Sequence, residues 1–253
     1  MNLLLLEPGE AAAAPVRVGG RRAEHLRRVL KVAIGDQIRA GVIGGPVGAA
    51  TIVGDDGVEV ELALALDGMA PAPMPIDLVL AIPRPKVLSR VLETAAAFAV
   101  RRIDLVNAWR VDKAYLDSPR LAAAAIDEHL RLGAEQGMTT HLPAATVHRR
   151  LMPFLDEHHP AGAMSRGARL CAHARGGVPI EEAWRGGDTR GQPLTLAIGP
   201  EGGWIEREVE TFAARGFAIV TLADAVLRVE AAVAAALGQL ALLLRRGDPA
   251  RRG

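Results

Sequence analysis

The stretch Leu194-Thr-Leu-Ala-Ile-Gly-Pro-Glu-Gly-Gly-Trp204 decides the fold, because an apolar strand runs directly into a glycine-rich turn. A strand is predicted over Leu194–Ile198 and a helix over Glu206–Arg215. Glycines in the turn permit positive φ values and a close approach of the backbone to a ligand. In a parallel α/β sheet such a turn lies at the carboxyl ends of the strands, where ligands usually bind. An ordinary strand-to-helix turn is the alternative, and it explains the carboxylate of Glu201 less well.

A second stretch, Leu222 to Ala232, is another strand end that turns into a helix. Glu230 falls in the first helical turn, where the helix dipole favours a negative charge, so a capping role and a functional role are both open. Arg228 stands just before it and has no such structural explanation.

The segments around these two stretches alternate between strands and helices, which predicts a parallel sheet covered on both faces. The other strands are expected over Ile76–Ile82, Ile103–Val106, Arg169–His173 and Ala218–Leu222, and the other helices over Leu88–Val100, Leu121–Glu135 and Val229–Arg245.

The N-terminal third has a different pattern, with short β-branched runs separated by Gly/Pro/Asp turns. One helix, Arg21–Lys31, interrupts them, with Leu26, Val29 and Leu30 on one face. The proline-rich linker 67–75 cannot lie inside a regular element. We therefore expect two domains, a small β-barrel over residues 1–70 and an α/β domain over residues 71–253. The barrel strands are predicted over Leu3–Leu6, Asp36–Val42, Val47–Val53 and Val58–Leu66.

Composition excludes several classes of protein. Half of the 253 residues are apolar, which is ample for a folded core. The single cysteine, Cys171, excludes an internal disulfide and a multi-thiolate zinc site, and we expect it to be a buried structural thiol. The N-terminus lacks a signal-peptide pattern, and no apolar run has the ~20 residues of a membrane helix. We expect a cytoplasmic protein without a membrane or metal partner, in which the run Asp156–His159 is a solvated loop.

Several segments, taken in their order and spacing, resemble the ribosomal small-subunit methyltransferase E family, which belongs to the knotted SPOUT class. They cover nearly the whole chain: His25-Leu-Arg-Arg-Val-Leu30 with Gly35-Asp36; Pro83-Arg-Pro-Lys86; Trp109-Arg-Val-Asp-Lys113 with Ser118-Pro119; Ala134-Glu-Gln136 with Pro143; Ala197-Ile-Gly-Pro-Glu-Gly-Gly-Trp-Ile205; and Leu222-x-x-x-Val-Leu-Arg-Val-Glu-x-Ala232.

The resemblance implies a PUA-like barrel, a SPOUT-type α/β domain with a deep trefoil knot, and a homodimer. The implied reaction is transfer of a methyl group from S-adenosylmethionine to N3 of a uridine in 16S ribosomal RNA, the partner being that RNA or the small ribosomal subunit. The implied cofactor-binding residues are His173, Ile198, Gly199, Glu201, Gly202, Gly203, Leu222, Ala223, Leu227 and Arg228. Candidate catalytic residues are Arg228, to stabilise the base, and Glu201 or Glu230, to accept its proton.

RNA contact is expected from basic groups near residues 17–39, where locally only Glu24 and Asp36 oppose them, although an ordinary solvated face is equally compatible. The predicted RNA-binding residues are Arg21, Arg22, His25, Arg27, Arg28, Arg84, Lys86, Arg110 and Lys113. Departures from the family pattern at Ala223, Ala225 and Ala231 leave two rival functions open. One is a SPOUT enzyme with another RNA target, and the other is a non-catalytic RNA-binding protein.

Overall fold

The computed structural model describes residues 2–162, 167–184 and 192–247. The last predicted domain boundary, residue 253, lies outside these ranges. Two sheets organise the chain, one of five strands and one of seven. No helix in the described ranges is long and apolar enough to cross a membrane.

The N-terminal sheet is a half-barrel with the strand order β1-β3-β4-β5-β2. Its β3–β4, β4–β5 and β5–β2 pairs are antiparallel, and β1 joins β3 in parallel. The bounds are β1 Leu4–Leu6, α1 Pro8–Ala11, β2 Val16–Val18, α2 Gly20–His25, β3 Gln37–Val42, β4 Val47–Asp55 and β5 Val60–Gly68.

The predicted helix Arg21–Lys31 is wrong in its second half. After α2 the chain forms a π-helical turn over Leu26–Leu30, and only Leu26 is buried there. Val29 and Leu30 are exposed, because the i→i+5 turn is wider and moves them off the face that carries Leu26.

The second sheet is entirely parallel, with the order β10-β12-β9-β11-β6-β7-β8. All five residues of β11 are buried, so both sheet faces are covered, as expected. The bounds are β6 Met74–Ala81, α3 Pro85–Ala97, β7 Val100–Val106, α4 Lys113–Leu116, α5 Ala123–Gly137, β8 Ala144–His148, α6 Leu151–His158, β9 Arg169–Ala172, β10 Val178–Pro179, α7 Ile180–Ala183, β11 Leu194–Ile198, α8 Glu206–Ala214, β12 Ala218–Thr221 and α9 Val229–Gly247. The predicted fold class, an α/β domain preceded by a small β-barrel, is confirmed in these two sheets. The predicted linker 67–75 is wrong at both ends, because β5 extends to Gly68 and β6 begins at Met74. Pro75 is tolerated in β6 because the pairing with β7 is irregular there.

The expectation of a solvated loop at Asp156–His159 is wrong, because most of this run lies in α6. Pro153 argues against a helix in the sequence, but proline is tolerated in the first turn of a helix, where it lies here. His159 follows the helix and packs between the rings of Phe154 and Phe217, at centroid distances of 5.7 and 5.2 Å. Burial lowers the pKa of His159 to about 4.

Candidate functional site

A cleft of about 390 Å³ lies at the carboxyl ends of β9, β11 and β12, which are neighbours in the sheet. Three loops line it, one following each strand. Because parallel strands end at the same edge, loops far apart in sequence meet there. The volume is within the range of small-molecule sites.

Two glycines of the loop after β11 are required by its geometry. Gly203 has a φ of +69°, which favours glycine. At Gly199 an added Cβ would lie 3.1 Å from the backbone nitrogen of Trp204. Gly202 is less constrained, since a Cβ there would meet the flexible side chain of Arg110 at 3.0 Å. The loop therefore keeps a cradle open at Gly203, where no atom stands within 4 Å of the Cβ position.

Buried polar groups fix this loop. Glu208 in α8 is 8% exposed, and its carboxylate accepts hydrogen bonds from the backbone N–H groups of Ile205 and Trp109, each at 2.9 Å. The Arg110 guanidinium donates to the carbonyl oxygen of Gly202. Sequence reasoning missed Glu208, although a glutamate at the third position of a helix is a known capping signal. The loop after β7 is thus tied to the glycine loop.

Trp204 gives the cleft a buried polar atom. The residue is 2% exposed and lines the cleft, and its Nε1–H has no hydrogen-bond partner among the described residues. Buried donors are normally satisfied, so an unpaired indole N–H beside a cleft favours a ligand with an acceptor. S-adenosylmethionine, whose amino-acid and adenosine parts carry several acceptors, fits this requirement.

The structure brings nine of the ten predicted cofactor-binding residues to this one cleft. They are His173, Ile198, Gly199, Glu201, Gly202, Gly203, Leu222, Ala223 and Leu227. His173 is part of a turn, in which its Nδ1 lies 2.8 Å from the carbonyl oxygen of Arg175. The tenth, Arg228, is exposed and does not line the cleft. Their role in binding stays a prediction.

The three predicted catalytic residues are in different environments. Glu201 is exposed, and its carboxylate accepts from the backbone N–H of Arg84 at 2.9 Å, next to the start of α3. Glu230 is half-buried in the first turn of α9. The Arg228 side chain has no acidic partner among the described residues, and its carbonyl accepts the Ala232 N–H at the start of α9.

The predicted RNA-binding arginines of the barrel are paired with carboxylates. The N···O distances are 2.8 Å for Arg21–Glu135, 2.5 Å for Arg22–Glu10, 2.6 Å for Arg27–Asp55 and 2.9 Å for Arg28–Glu24. Hydrogen bonds from the guanidinium groups of Arg22 and Arg27 lower the pKa of Glu10 and of Asp55, respectively. Counting only nearby acids in the sequence was misleading, because the fold brings Glu10, Asp55 and Glu135 from other elements. His25 is half-buried, and burial lowers its pKa.

The other predicted RNA-binding residues lie in the second sheet's loops and helices. Arg110 is exposed beside the glycine loop, and Lys113 is exposed at the start of α4. Arg84 and Lys86 lie at the start of α3.

Cys171 is fully buried in β9, and burial raises the pKa of its thiol, which fits a structural role. In the described ranges no three His, Cys, Asp or Glu side chains are grouped to hold a metal ion.

Comparison with known proteins adds independent information. The family described as "RNA methyltransferase domain" matches residues 70–241. The chain is 31% identical over 240 residues to the ribosomal RNA small subunit methyltransferase E of Treponema pallidum, covering 93% of this chain and 89% of the relative. It is 24% identical to ribosomal RNA small subunit methyltransferase E 1 of Borreliella burgdorferi, over 93% and 95% of the two chains.

Solved structures share the whole fold. The ribosomal RNA small subunit methyltransferase E of Neisseria gonorrhoeae, bound to S-adenosyl methionine, superposes with a TM-score of 0.76 at 22% identity, over 96% of this chain and 98% of that one. A putative methyltransferase of Legionella pneumophila, in complex with the same cofactor, gives a TM-score of 0.74 at 20% identity, over 95% and 97%. At these identities the likeness is one of fold.

Proposed function

The chain belongs to the RNA methyltransferase family, in its ribosomal RNA small subunit methyltransferase E branch, and on that premise we propose that it methylates N3 of a uridine in 16S ribosomal RNA. It is a ribosomal RNA methyltransferase that uses S-adenosylmethionine. The identity of the nucleotide and of the methylated atom is the proposed part.

The observation that carries the proposal is the meeting of three loops at one cleft with nine predicted cofactor residues. When bound, the cofactor supplies an activated methyl group on a sulfonium. The chain's part is to hold that group and the base in line, and positioning of this kind can lower a barrier by about 7–11 kcal/mol.

Uridine N3 carries a proton, so the site must take up that proton and stabilise the anionic base. We assign the second role to Arg228, which is exposed beside Leu227 of the cleft and carries a charge that no described carboxylate neutralises. A guanidinium stays charged at any working pH and donates in a planar fork. Glu201, which lines the cleft, and Glu230, in the first turn of α9, are the two candidates for accepting the proton.

RNA binding and catalysis are assigned to different parts of the chain. We propose that residues 1–70 form a PUA-like RNA-binding barrel and residues 71–253 the knotted catalytic domain. A cytoplasmic homodimer acting on 16S ribosomal RNA or the small subunit is the expected working form.

A second candidate is methylation of a different RNA nucleotide. Ala225, one of the departures from the family pattern, lines the cleft, and this position favours the second candidate. Nucleoside mapping of 16S ribosomal RNA from a strain lacking this gene distinguishes the two candidates. We expect loss of one N3-methyluridine, restored by the parent gene. An unchanged 16S pattern with a loss elsewhere would support the second candidate.

A further inference from the structure

Trp109 is unusual for its exposure. It is 79% exposed, whereas the other two tryptophans, Trp184 and Trp204, are buried. Burial of a tryptophan is strongly favourable and tryptophan is enriched at interfaces, so this exposed indole is a candidate contact for a partner.

The loop that carries Trp109 is held in place. The backbone N–H of Trp109 donates to the buried carboxylate of Glu208 at 2.9 Å. Asn107 donates through Nδ2 to the carbonyl oxygen of Arg149 at 3.1 Å, and Arg110 donates to Gly202. The indole is therefore displayed on a fixed backbone, adjacent to the glycine loop of the cofactor cleft. A preorganised backbone loses little entropy when the loop binds a partner.

Trp109 lines a second cleft, of about 990 Å³, between the loop after β7 and the starts of α6 and α8. Met152 and Pro153 contribute apolar surface, and Lys113, Arg150 and Arg207 contribute positive charge. Among the described residues, Glu208 is the only carboxylate in its lining, and both of its oxygens already accept hydrogen bonds.

These three cations differ from the arginines of the barrel. Lys113, Arg150 and Arg207 are exposed and have no carboxylate partner among residues 2–162, 167–184 and 192–247. The four predicted RNA-binding arginines of the barrel, Arg21, Arg22, Arg27 and Arg28, are in contrast all in ion pairs. A polyanion binds where its phosphates replace counterions of free cations, so the surface around Trp109 is the better electrostatic match.

We propose that this surface, defined by Trp109, Lys113, Arg150 and Arg207, binds a single-stranded segment of the substrate RNA. A nucleobase stacks on the Trp109 indole, and the three cations contact the flanking phosphates. Because Arg110 joins this loop to Gly202, the bound segment lies beside the cofactor cleft. The inference rests on the proposed function and shifts the main RNA contact from the barrel arginines to the α/β domain.

The test measures binding of a 16S ribosomal RNA fragment to the full chain at several salt concentrations. Trp109→Ala should weaken binding by about 5- to 150-fold, the usual loss for one stacked base, and Trp109→Phe should keep most of the affinity. The combined K113Q, R150Q and R207Q variant should flatten the salt dependence by up to about 0.7 unit of slope per lost contact. Arg17→Gln, which removes a cation paired with Glu61 at 2.7 Å, is the matched control and should leave the slope unchanged.

Three further measurements distinguish a failure of this inference from a failure of the proposed function. Affinity for S-adenosylmethionine should be the same in all variants, and base stacking should quench the parent's tryptophan fluorescence but not that of Trp109→Phe. Equal RNA affinity of Trp109→Ala and the parent overturns the inference. So does a Trp109→Ala variant that sediments as a smaller species than the parent with undiminished RNA affinity, because the surface is then a subunit interface. A parent that transfers no methyl group to ribosomal RNA contradicts the proposed function itself.

Discussion

Replacing Arg21 by alanine tests whether this residue stabilises the fold through its ion pair with Glu135 or binds RNA. Its two terminal nitrogens donate to the Glu135 carboxylate at 2.8 and 3.0 Å. Glu135 lies in α5 of the second domain, and its side chain is only 3% exposed. Its carbonyl oxygen also accepts from the N–H groups of Asn2 and Leu3, so this point joins the N-terminus to the α/β domain.

The size of the effect follows from the burial of the two partners. Removing one partner of a buried ion pair typically costs about 3–5 kcal/mol, because the remaining charge is uncompensated. Arg21 is itself 48% exposed, so water can reach the vacated space and the cost is smaller. We expect a loss of about 2–3 kcal/mol of unfolding free energy, which lowers the melting temperature by about 4–12 °C in a chain of this size.

The assay is urea denaturation beside a thermal melt. Arg28→Ala is the matched control, because its pair with Glu24 is 78% and 60% exposed and should contribute less than about 1 kcal/mol. Adding Glu135→Gln to Arg21→Ala should recover part of the loss, since the uncompensated charge is then gone. If Arg21→Ala unfolds at the parent's urea concentration and instead lowers the salt slope of RNA binding by about 0.7 unit, the structural role is refuted.

Three other changes have defined outcomes. Arg228→Ala should keep the parental melting temperature and cofactor affinity but lower single-turnover methyl transfer by about a hundred- to a thousandfold, whereas near-normal transfer would remove it from catalysis. Gly203→Ala should cost about 1–2 kcal/mol of stability because its φ is +69°, and Gly202→Ala should cost less, so a reversed order in thermal melts would contradict the loop geometry. His159 binds its proton with a pKa of about 4 in the folded state and about 6.5 when unfolded, so the unfolded state takes up more protons and stability should fall by about 2–3 kcal/mol as the pH drops from 6.5 to 4. His159→Phe should flatten that part of the pH profile, and an unchanged profile would show that other groups cause it.

The central strands could be predicted from the sequence because burial on both faces leaves a continuous apolar run. The observed β11, Leu194–Ile198, has the predicted bounds, and β12 and α8 differ from prediction by one residue at their ends. The missed strands β2, β8 and β10 lie at sheet edges, and they have only three, five and two residues. Edge strands leave a weak pattern for that reason.

The cofactor cleft was predictable through family motifs, since the same loops that carry the motifs line it. The contacts that fix those loops could not be predicted from the sequence. Glu208 supports Trp109 across 99 positions, and Glu135 pairs with Arg21 across 114, and no local pattern encodes such distances. For the same reason the charge of the barrel was misjudged, because its neutralising carboxylates come from distant elements.

Calorimetric titration with S-adenosylmethionine tests directly whether the cleft formed by the three loops holds the methyl donor. Ala225 lines the cleft and is exposed, so Ala225→Trp fills the cleft without disturbing a core, and Ala124→Trp places the same ring at an exposed position of α5. We expect binding by the parent and by Ala124→Trp, and at least tenfold weaker binding, or about 1.4 kcal/mol, by Ala225→Trp. No binding by the parent, or equal affinity of the two tryptophan variants, would contradict it.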